Sequence, residues 1–275
     1  MPSTLCGLKK IPERDLRYVY VQFLGNRGQK IDLDIALLCE LVELYLEIQF
    51  ARWPEINRSA QLKFSNITPL SVIEQIERQF ECDEEGFVTL FGEYIPYYIF
   101  LKHFQVFERT QKKPHLKPRD PRADHLAIIK HRKHKCCTYK LIYTEVKTTR
   151  KNARRRVKDE IFTEFGNIEN GLLDRDIIDE VKALDLDFFE NRKQAKEVAE
   201  SLFWKGNIHF QALVVSANCD YSSFKGYDEF VPGERKTTKR RWAVVIPIED
   251  WDNWVTTVRH LVKTRIQEIK AEGKV

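Results

Sequence analysis

The chain has 275 residues, of which 43% are hydrophobic and 12% aromatic, and its formal net charge is +5. This apolar content supports a large folded core, so the composition excludes a disordered chain. No apolar run approaches the ~20 residues of a membrane span, and the first ten residues contain no apolar signal-peptide segment. We therefore expect a soluble, cytoplasmic protein.

The cysteines indicate a reducing compartment, because none of the six forms a Cys-x-x-Cys pair and several lie in apolar stretches. One cluster has zinc-ligand chemistry: His131, His134, Cys136 and Cys137. These residues crowd one short basic turn without a second ligand pair, which is not typical of a zinc site.

The first third of the chain is predicted to be structural. Residues 16–24 have the composition of a strand, residues 32–52 the pattern of an amphipathic helix, and residues 71–82 that of a second helix. None of these segments carries recognisable chemistry. We therefore interpret residues 1–82 as an N-terminal α/β extension that packs on a core of residues 83–275.

Residues 88–107 are strongly apolar and predict a buried helix with a kink near Pro96. Glu93 is the only acidic residue in this segment. A lone carboxylate there is costly unless it is paired or binds a metal ion, although a place in an exposed first turn would explain it equally well. Residues 108–122 contain three prolines and are predicted to form a loop.

The next segment predicts a β-hairpin with charged residues at its open end. Asp124 opens a short strand, and the alternation from Tyr139 to Lys147 is typical of a second one, with residues 130–138 as a loose connection. Antiparallel pairing would place Asp124 beside Glu145 and Lys147. Because side chains two positions apart on a strand share a face, Glu145 and Lys147 would point the same way.

These residue types suit metal-dependent cleavage of a phosphodiester bond. Two carboxylates can bind Mg²⁺ (or Mn²⁺), which lowers the pKa of a bound water, and the lysine can orient that water or help to deprotonate it. The alternative is that Glu145 and Lys147 are solvated neighbours on a surface strand.

Positive charge is concentrated around the hairpin. Residues 112–158 contain seventeen Lys or Arg against three acidic residues, a net charge of +14, so the rest of the chain carries −9. Such a block is the electrostatic signature of a protein that binds a nucleic-acid backbone, and the candidate phosphate contacts are Lys151, Arg154, Arg155 and Arg156. The alternatives are a solvated basic loop and a surface for an acidic partner.

The remaining pattern completes an α/β protein with a mixed central β-sheet flanked by helices. Helices are predicted after the hairpin, within residues 172–205 and over 251–271 with Asp250 as cap, and strands over 208–216 and 242–248. Residues 217–240 form a long polar loop. The sequence has no Gly-x-x-x-x-Gly-Lys phosphate-binding loop, so work driven by a nucleotide would need a partner.

Asp124 and the Glu-Val-Lys triplet at 145–147 resemble the motif of the PD-(D/E)xK nuclease superfamily, although Arg122-Ala123 stands in place of the usual Pro-Asp lead-in. Helix, strand, strand, basic turn and helix follow in the superfamily's order. The resemblance implies a restriction-endonuclease-like core and a Mg²⁺-dependent DNA endonuclease. It also implies that Asp124 and Glu145 bind metal, that Lys147 positions water, and that Glu93 joins the site from the preceding helix.

The Gly92-Glu93 helix, the strand at residues 123–125 and the Glu-Val-Lys strand are also similar to those of the nuclease subunit of Hachiman-type bacterial anti-phage systems. That likeness implies a separate helicase partner, which restrains the nuclease until foreign or damaged DNA appears. Two alternatives use the same residues. An orphan restriction endonuclease would share the active site, and a non-catalytic DNA-binding or complex-assembly subunit would hold the acids in ordinary salt bridges.

Overall fold

The computed structural model describes residues 7–10, 17–22, 39–50, 73–74, 76–78, 83–103, 108–112, 114, 123–133, 136–182, 184, 189, 191–204, 208–217, 221–224, 241–248 and 250–271. Arg122 and most of the predicted polar loop over residues 217–240 lie outside these residues. No helix in the described ranges is both long and apolar enough to cross a membrane.

Seven strands of the described part form one mixed sheet. They are β1 Gly7–Lys10, β2 Arg17–Gln22, β3 Glu108–Gln111, β4 His125–Lys133, β5 Cys136–Thr149, β6 Ile208–Ser216 and β7 Arg241–Pro247. Their order is β1-β2-β7-β6-β5-β4-β3. The pairs β3–β4 and β4–β5 are antiparallel, and the pairs β5–β6, β6–β7 and β7–β2 are parallel. Strand β1 is antiparallel to β2. The predicted α/β architecture with a mixed sheet is confirmed.

The helices account for most of the remaining described residues. They are α1 over residues 39–50, α2 Glu84–His103, α3 over residues 153–169, α4 Asp174–Lys182, α5 Arg192–Trp204 and α6 Trp251–Ala271. Residues 73–74 and 76–78 are also helical, within the helix predicted over residues 71–82. Helix α3 is one continuous run in which Ala153–Arg156 and Phe162–Glu169 flank a π-helical segment, Val157–Ile161. Such π segments widen a helix by one residue and occur often at functional sites.

Helices cover both faces of the sheet, and the alternation along β5 decides which side chains meet which helices. Val146 packs in a core with residues of α1, α2 and α6. Leu141 and Tyr143 pack in a second core with residues of α3, α4 and α5. We call these two sides the α2 face and the α3 face. Eight of the nine residues of β6 are buried, as expected for a strand covered on both faces.

Several element bounds match the sequence prediction closely. Strand β6 and helix α6 coincide with the predicted 208–216 and 251–271. The carboxylate of Asp250 accepts a hydrogen bond from the backbone N–H of Asn253 at 3.2 Å, which confirms the predicted cap. Helix α2 begins four residues before the predicted start, because Asp83 caps it by accepting a hydrogen bond from the N–H of Gly86.

Two local predictions are wrong. Part of the predicted 108–122 loop is strand β3, whose polar Glu-Arg-Thr-Gln sequence shows no apolar alternation and buries Thr110. The predicted loose connection over residues 130–138 is also mostly strand, because β4 runs to Lys133 and β5 begins at Cys136. Backbone ladder hydrogen bonds need no apolar side chains, so a basic hairpin tip can pair while its sequence resembles a loop.

Helix α2 approaches β5 closely at one glycine. A Cβ added to Gly92 would lie 1.9 Å from Oγ1 and 3.0 Å from Cβ of Thr148. Only a residue without a side chain fits this crossing. The contact fixes α2 beside the end of β5 where the charged residues of the motif lie.

The N-terminal third is continuous with the rest of the sheet. Strand β2 pairs in parallel with β7, and Leu41 and Tyr45 of α1 share a core with α2. The proposed division at residue 82 stays a prediction.

Candidate active site

The hairpin of β4 and β5 brings the three motif residues together. His125 pairs with Thr144, so Asp124 lies just before β4 and opposite Glu145. Oδ2 of Asp124 accepts a hydrogen bond from the backbone N–H of Val146 at 2.7 Å. Nζ of Lys147 lies 3.3 Å from Oε1 of Glu145, and both side chains point to the α3 face, as the alternation predicts.

The carboxyl group of Glu145 is in an unfavourable place for a charge. Burial, and then the nearby charge of Asp124, raise its pKa well above the ordinary value, against the opposing effect of Lys147. Burial lowers the pKa of the Lys147 ammonium, but the carboxylates of Glu145, Asp124 and Glu160 outweigh burial, so that the net shift is upward. Lys147 therefore keeps its proton at neutral pH.

The two carboxylates fit a hard divalent cation. Oε2 of Glu145 is buried and accepts no hydrogen bond from a described residue, so it retains its coordinating capacity. A cation shared with Asp124 would also remove the repulsion between the two negative charges. No group of three or more His, Cys, Asp or Glu in the described ranges could hold a metal ion. Asp124 and Glu145 would supply protein ligands while leaving positions for waters and substrate phosphates, which Mg²⁺ usually keeps.

Two hydrogen bonds to the backbone of Ala123 position the neighbouring Asp124. The N–H of Ala123 donates to Oε1 of Glu180 at 3.2 Å, and its carbonyl oxygen accepts from Nζ of Lys112 at 2.6 Å. Lys112 and Glu180 are themselves an ion pair at 3.1 Å. Both polar groups of this peptide unit are therefore fixed one residue before the candidate ligand.

Helix α3 contributes two acidic residues that the sequence reasoning missed. Oε1 of Glu164 accepts a hydrogen bond from the Tyr143 hydroxyl at 2.9 Å. Burial, followed by the charges of Glu145 and Glu164, raises the pKa of Tyr143 well above its ordinary value. Glu160 lies one turn earlier and 3.5 Å from Nζ of Lys147. The four-residue spacing of these acids, on the helix that follows the motif strand, was the available signal.

Five side chains of alternating charge run from the buried site to solvent, and we call them the charge ladder. Glu145, with 12% of its side chain exposed, pairs with Lys147, and Lys147 pairs with Glu160. Oε1 of Glu160 pairs with Arg156 at 2.8 Å, and Arg156 lies 3.4 Å from Glu85 at the start of α2. The ladder links β5, α3 and α2.

Glu93 lies buried on α2, next to Gly92. It shares a helix face with Tyr97 and Phe100, whose rings lie against His125 on the α2 face of the sheet. Glu93 is therefore near the same end of β5 as the motif residues, but its helix covers the opposite face. Its part in the site stays a prediction.

The predicted phosphate contacts surround the start of α3. Lys151, Arg154 and Arg155 are exposed, and in the described part of the chain they form no ion pair, whereas Arg156 belongs to the charge ladder. The turn before α3 is fixed by a hydrogen bond from the Thr149 hydroxyl to the carbonyl oxygen of Lys151 at 2.7 Å. It ends at Asn152 in the left-handed conformation, with φ of 62°.

A row of polar side chains crosses four strands on the α2 face, with Gln111 half-buried and His125, Thr144 and Gln211 buried. Nε2 of His125 lies 2.9 Å from Oε1 of Gln111, its Nδ1 lies 3.4 Å from Oγ1 of Thr144, and the Thr144 hydroxyl donates to Oε1 of Gln211 at 2.9 Å. Burial, with a smaller contribution from Lys112, lowers the pKa of His125 to about 3. The imidazole is therefore neutral at physiological pH.

A scan against protein-family models finds no match for this chain, and a search of curated proteins finds none either.

Proposed function

We propose that this protein is a Mg²⁺-dependent endonuclease that cleaves DNA phosphodiester bonds, with a restriction-endonuclease-like core of the PD-(D/E)xK type. The observation that carries the proposal is the meeting of Asp124, Glu145 and Lys147 at one end of the β4–β5 hairpin. The raised pKa of Glu145 is consistent with it, because carboxyl groups with strongly shifted pKa values cluster at functional sites.

Asp124 and Glu145 are the residues that would hold the metal ion, with Glu93 as a further acid from α2. Mg²⁺ bound there would polarise the phosphate and lower the pKa of a water. Lys147 is held in its charged form by neighbouring carboxylates, so it orients the water and offsets negative charge on the phosphate. A protonated lysine cannot accept a proton, and the structure therefore favours these two roles over deprotonation of the water.

DNA binding is assigned to the basic residues at the start of α3. Three arginines lie in the first turn of this helix, where the helix dipole disfavours positive charge, and no side chain among the described residues caps it. Their position is unfavourable for the helix alone and suits backbone phosphates. The proposed setting, an anti-phage complex with a helicase partner, rests on the resemblance of the sequence.

The nuclease proposal is tested with supercoiled plasmid and purified protein in Mg²⁺ or in EDTA. We expect nicking or cutting that needs the cation and is abolished by Glu145→Ala and by Lys147→Ala, while DNA binding through Lys151, Arg154 and Arg155 persists. A restrained subunit could be inactive alone, so cation binding is measured in parallel by the shift of the melting temperature with Mg²⁺ or Mn²⁺. An unshifted melting temperature together with an intact plasmid would reject the proposal.

The second candidate is a non-catalytic DNA-binding or complex-assembly subunit. The ion pairs of Lys147 with Glu145 and Glu160 favour it, because a purely structural role for these acids would produce the same pairs. Under this alternative, divalent cations leave stability unchanged. Removal of either partner of the Lys147–Glu145 pair then destabilises the protein, since a buried charge is left without compensation.

A further inference from the structure

We propose that Lys147 and Arg156 form a binding site for one backbone phosphate of DNA, and that the Glu160 carboxylate occupies this site in the free protein. The inference rests on the proposed nuclease function and adds a built-in restraint to it. Glu160 must leave the two cations before DNA can reach the carboxylates of Asp124 and Glu145.

The two carboxylate oxygens of Glu160 contact two cations, as the oxygens of a bound phosphate would. Its Oε1 lies 2.8 Å from Arg156, and its Oε2 lies 3.5 Å from Nζ of Lys147. Each oxygen thus meets a different cation, on different elements of the fold. A phosphate also presents paired oxygens, and arginine binds carboxylates and phosphates with the same planar set of donors.

Charge explains why Glu160 and DNA exclude one another. Lys147 already faces three carboxylates, those of Glu145, Asp124 and Glu160. A DNA phosphate at the same two cations would lie against the Glu160 carboxylate, and the two negative charges would repel each other. When Glu160 turns away, Lys147 keeps Glu145 and Arg156 keeps Glu85, so both cations stay positioned for the incoming phosphate.

Glu160 is free to turn away at small cost. Its side chain is 37% exposed and that of Arg156 is 39% exposed, so water can solvate both groups when they separate. Ion pairs at such positions contribute little to stability. Glu160 also lies in the π-helical segment of α3, where the backbone departs from regular α-helical geometry.

The test compares wild-type protein with Glu160→Gln in binding a short DNA duplex in EDTA, followed by fluorescence anisotropy. Glutamine keeps the shape of the side chain but not the charge. We expect the variant to bind about threefold to tenfold more tightly, the range expected when one or two exposed ion pairs no longer compete. Its affinity should also fall more steeply with salt, because an additional phosphate displaces counterions.

Glu268→Gln is the matched control. It removes the same single charge from an exposed ion pair, with Arg265 at 3.0 Å, on α6 and thus on the α2 face. This control should leave the affinity unchanged. If Glu160→Gln binds no more tightly than Glu268→Gln, the inference is overturned.

Arg156→Gln, introduced alone and together with Glu160→Gln, tests whether Arg156 binds the phosphate that replaces Glu160. The gain from Glu160→Gln should vanish when Arg156 is absent, and a gain that persists would refute the assignment. The melting temperature of each variant shows whether it is folded. Glu160→Ala is a second variant that removes the carboxylate, so a result that depends on the glutamine side chain can be recognised. Inorganic phosphate at constant ionic strength distinguishes the two sources of the ligand. If millimolar phosphate raises the melting temperature of Glu160→Gln while this variant gains no affinity for DNA, the site binds free phosphate and the assignment to a DNA backbone is refuted.

This outcome is independent of cleavage. Binding in EDTA requires no metal ion and no chemistry, so an inactive protein can still show the gain. Conversely, a plasmid-cutting protein in which Glu160→Gln has no effect on binding would contradict this inference and leave the nuclease proposal intact.

Discussion

At the scale of single residues, the fold disfavours the charged form of Glu145 in the candidate site. Its pKa is raised by burial and by Asp124, so the folded protein favours the protonated carboxyl group more than the unfolded chain does. By linkage, the stabilising contribution of this group is complete below its unfolded pKa and is lost as the pH rises through its folded pKa. At neutral pH the buried carboxylate therefore lowers the stability of the metal-free protein.

Glu145→Gln should consequently raise the melting temperature in EDTA. Each unit of pKa shift that the substitution removes corresponds to about 1.4 kcal/mol of unfolding free energy. A change of 1 kcal/mol shifts the melting temperature of a domain of this size by about 2–4 °C. The variant should also lose the stabilisation that Mg²⁺ gives the wild type. Calorimetry with and without Mg²⁺ measures both effects, and Glu43→Gln, in an exposed pair with Arg265, is the control. A lowered melting temperature in EDTA would point instead to a structural salt bridge.

His125 should make the protein sensitive to acid. Its pKa is about 3 in the fold, against an ordinary value of 6.5. Between these two values the unfolded chain binds the additional proton, so the free energy of unfolding falls as the pH falls, by up to about 1.4 kcal/mol per pH unit. Urea unfolding between about pH 7 and about pH 5 should show a smaller loss for His125→Gln than for the wild type. Equal losses would exclude His125 as the source.

At the scale of elements, the packing of α2 on β5 depends on the space left by Gly92. Gly92→Ala should destabilise the protein by about 1–3 kcal/mol, because the new Cβ would overlap Thr148 and force the helix outward. Thr148→Ala should restore part of the loss, since it removes the Oγ1 at 1.9 Å but leaves the Cβ at 3.0 Å. Chemical denaturation of the two single variants and the double variant measures this coupling, and strictly additive losses would argue against the contact.

The sequence predicted the elements best where side-chain patterning decides the structure. Strand β6 is buried along nearly its whole length, and α6 buries one stripe of residues, so both appear in the apolar pattern at their true bounds. Strand β3 and the tip of the β4–β5 hairpin are paired through their backbones and carry polar or basic side chains. Nothing in their composition distinguishes them from loops, and only the tertiary partner reveals them.

The same distinction applies to the candidate site. The alternation along β5 placed Glu145 and Lys147 on one face, and antiparallel pairing placed Asp124 beside them. The acids of α3 were missed, because their relation to Lys147 depends on how the helix crosses the strand. Sequence spacing shows that Glu160 and Glu164 share a side of the helix, but it does not show which strand they face.

At the scale of the whole molecule, the positive charge of the central block is only partly available for binding. Arg150 pairs with Asp252 at 2.6 Å and Arg156 pairs with Glu160, whereas Lys151, Arg154 and Arg155 are exposed. Those three should account for a large share of the salt-dependent DNA affinity. The net charge of a segment therefore overstates the charge that a ligand meets.

Alanine at each of the three exposed positions should weaken DNA binding similarly across sequences and lower the slope of log affinity against log salt by about 0.9 per residue. Lys196→Ala, in an exposed pair with Glu200 on α5, removes the same charge elsewhere and should change the slope little. Titrations at several salt concentrations provide the measurement. An unchanged slope in all three variants would place the DNA-binding surface on another part of the protein.

The row of polar side chains from Gln111 through His125 and Thr144 to Gln211 determines when the candidate site forms. Hydrogen bonds between these side chains connect four adjacent strands. If β4 shifted along β5 by one residue, these polar groups would lose their hydrogen-bond partners inside an apolar layer. Such a slip is the movement that would carry Asp124 away from Glu145. The two acids are thus brought together during folding itself, and an arriving substrate needs to rearrange side chains and water but not the sheet.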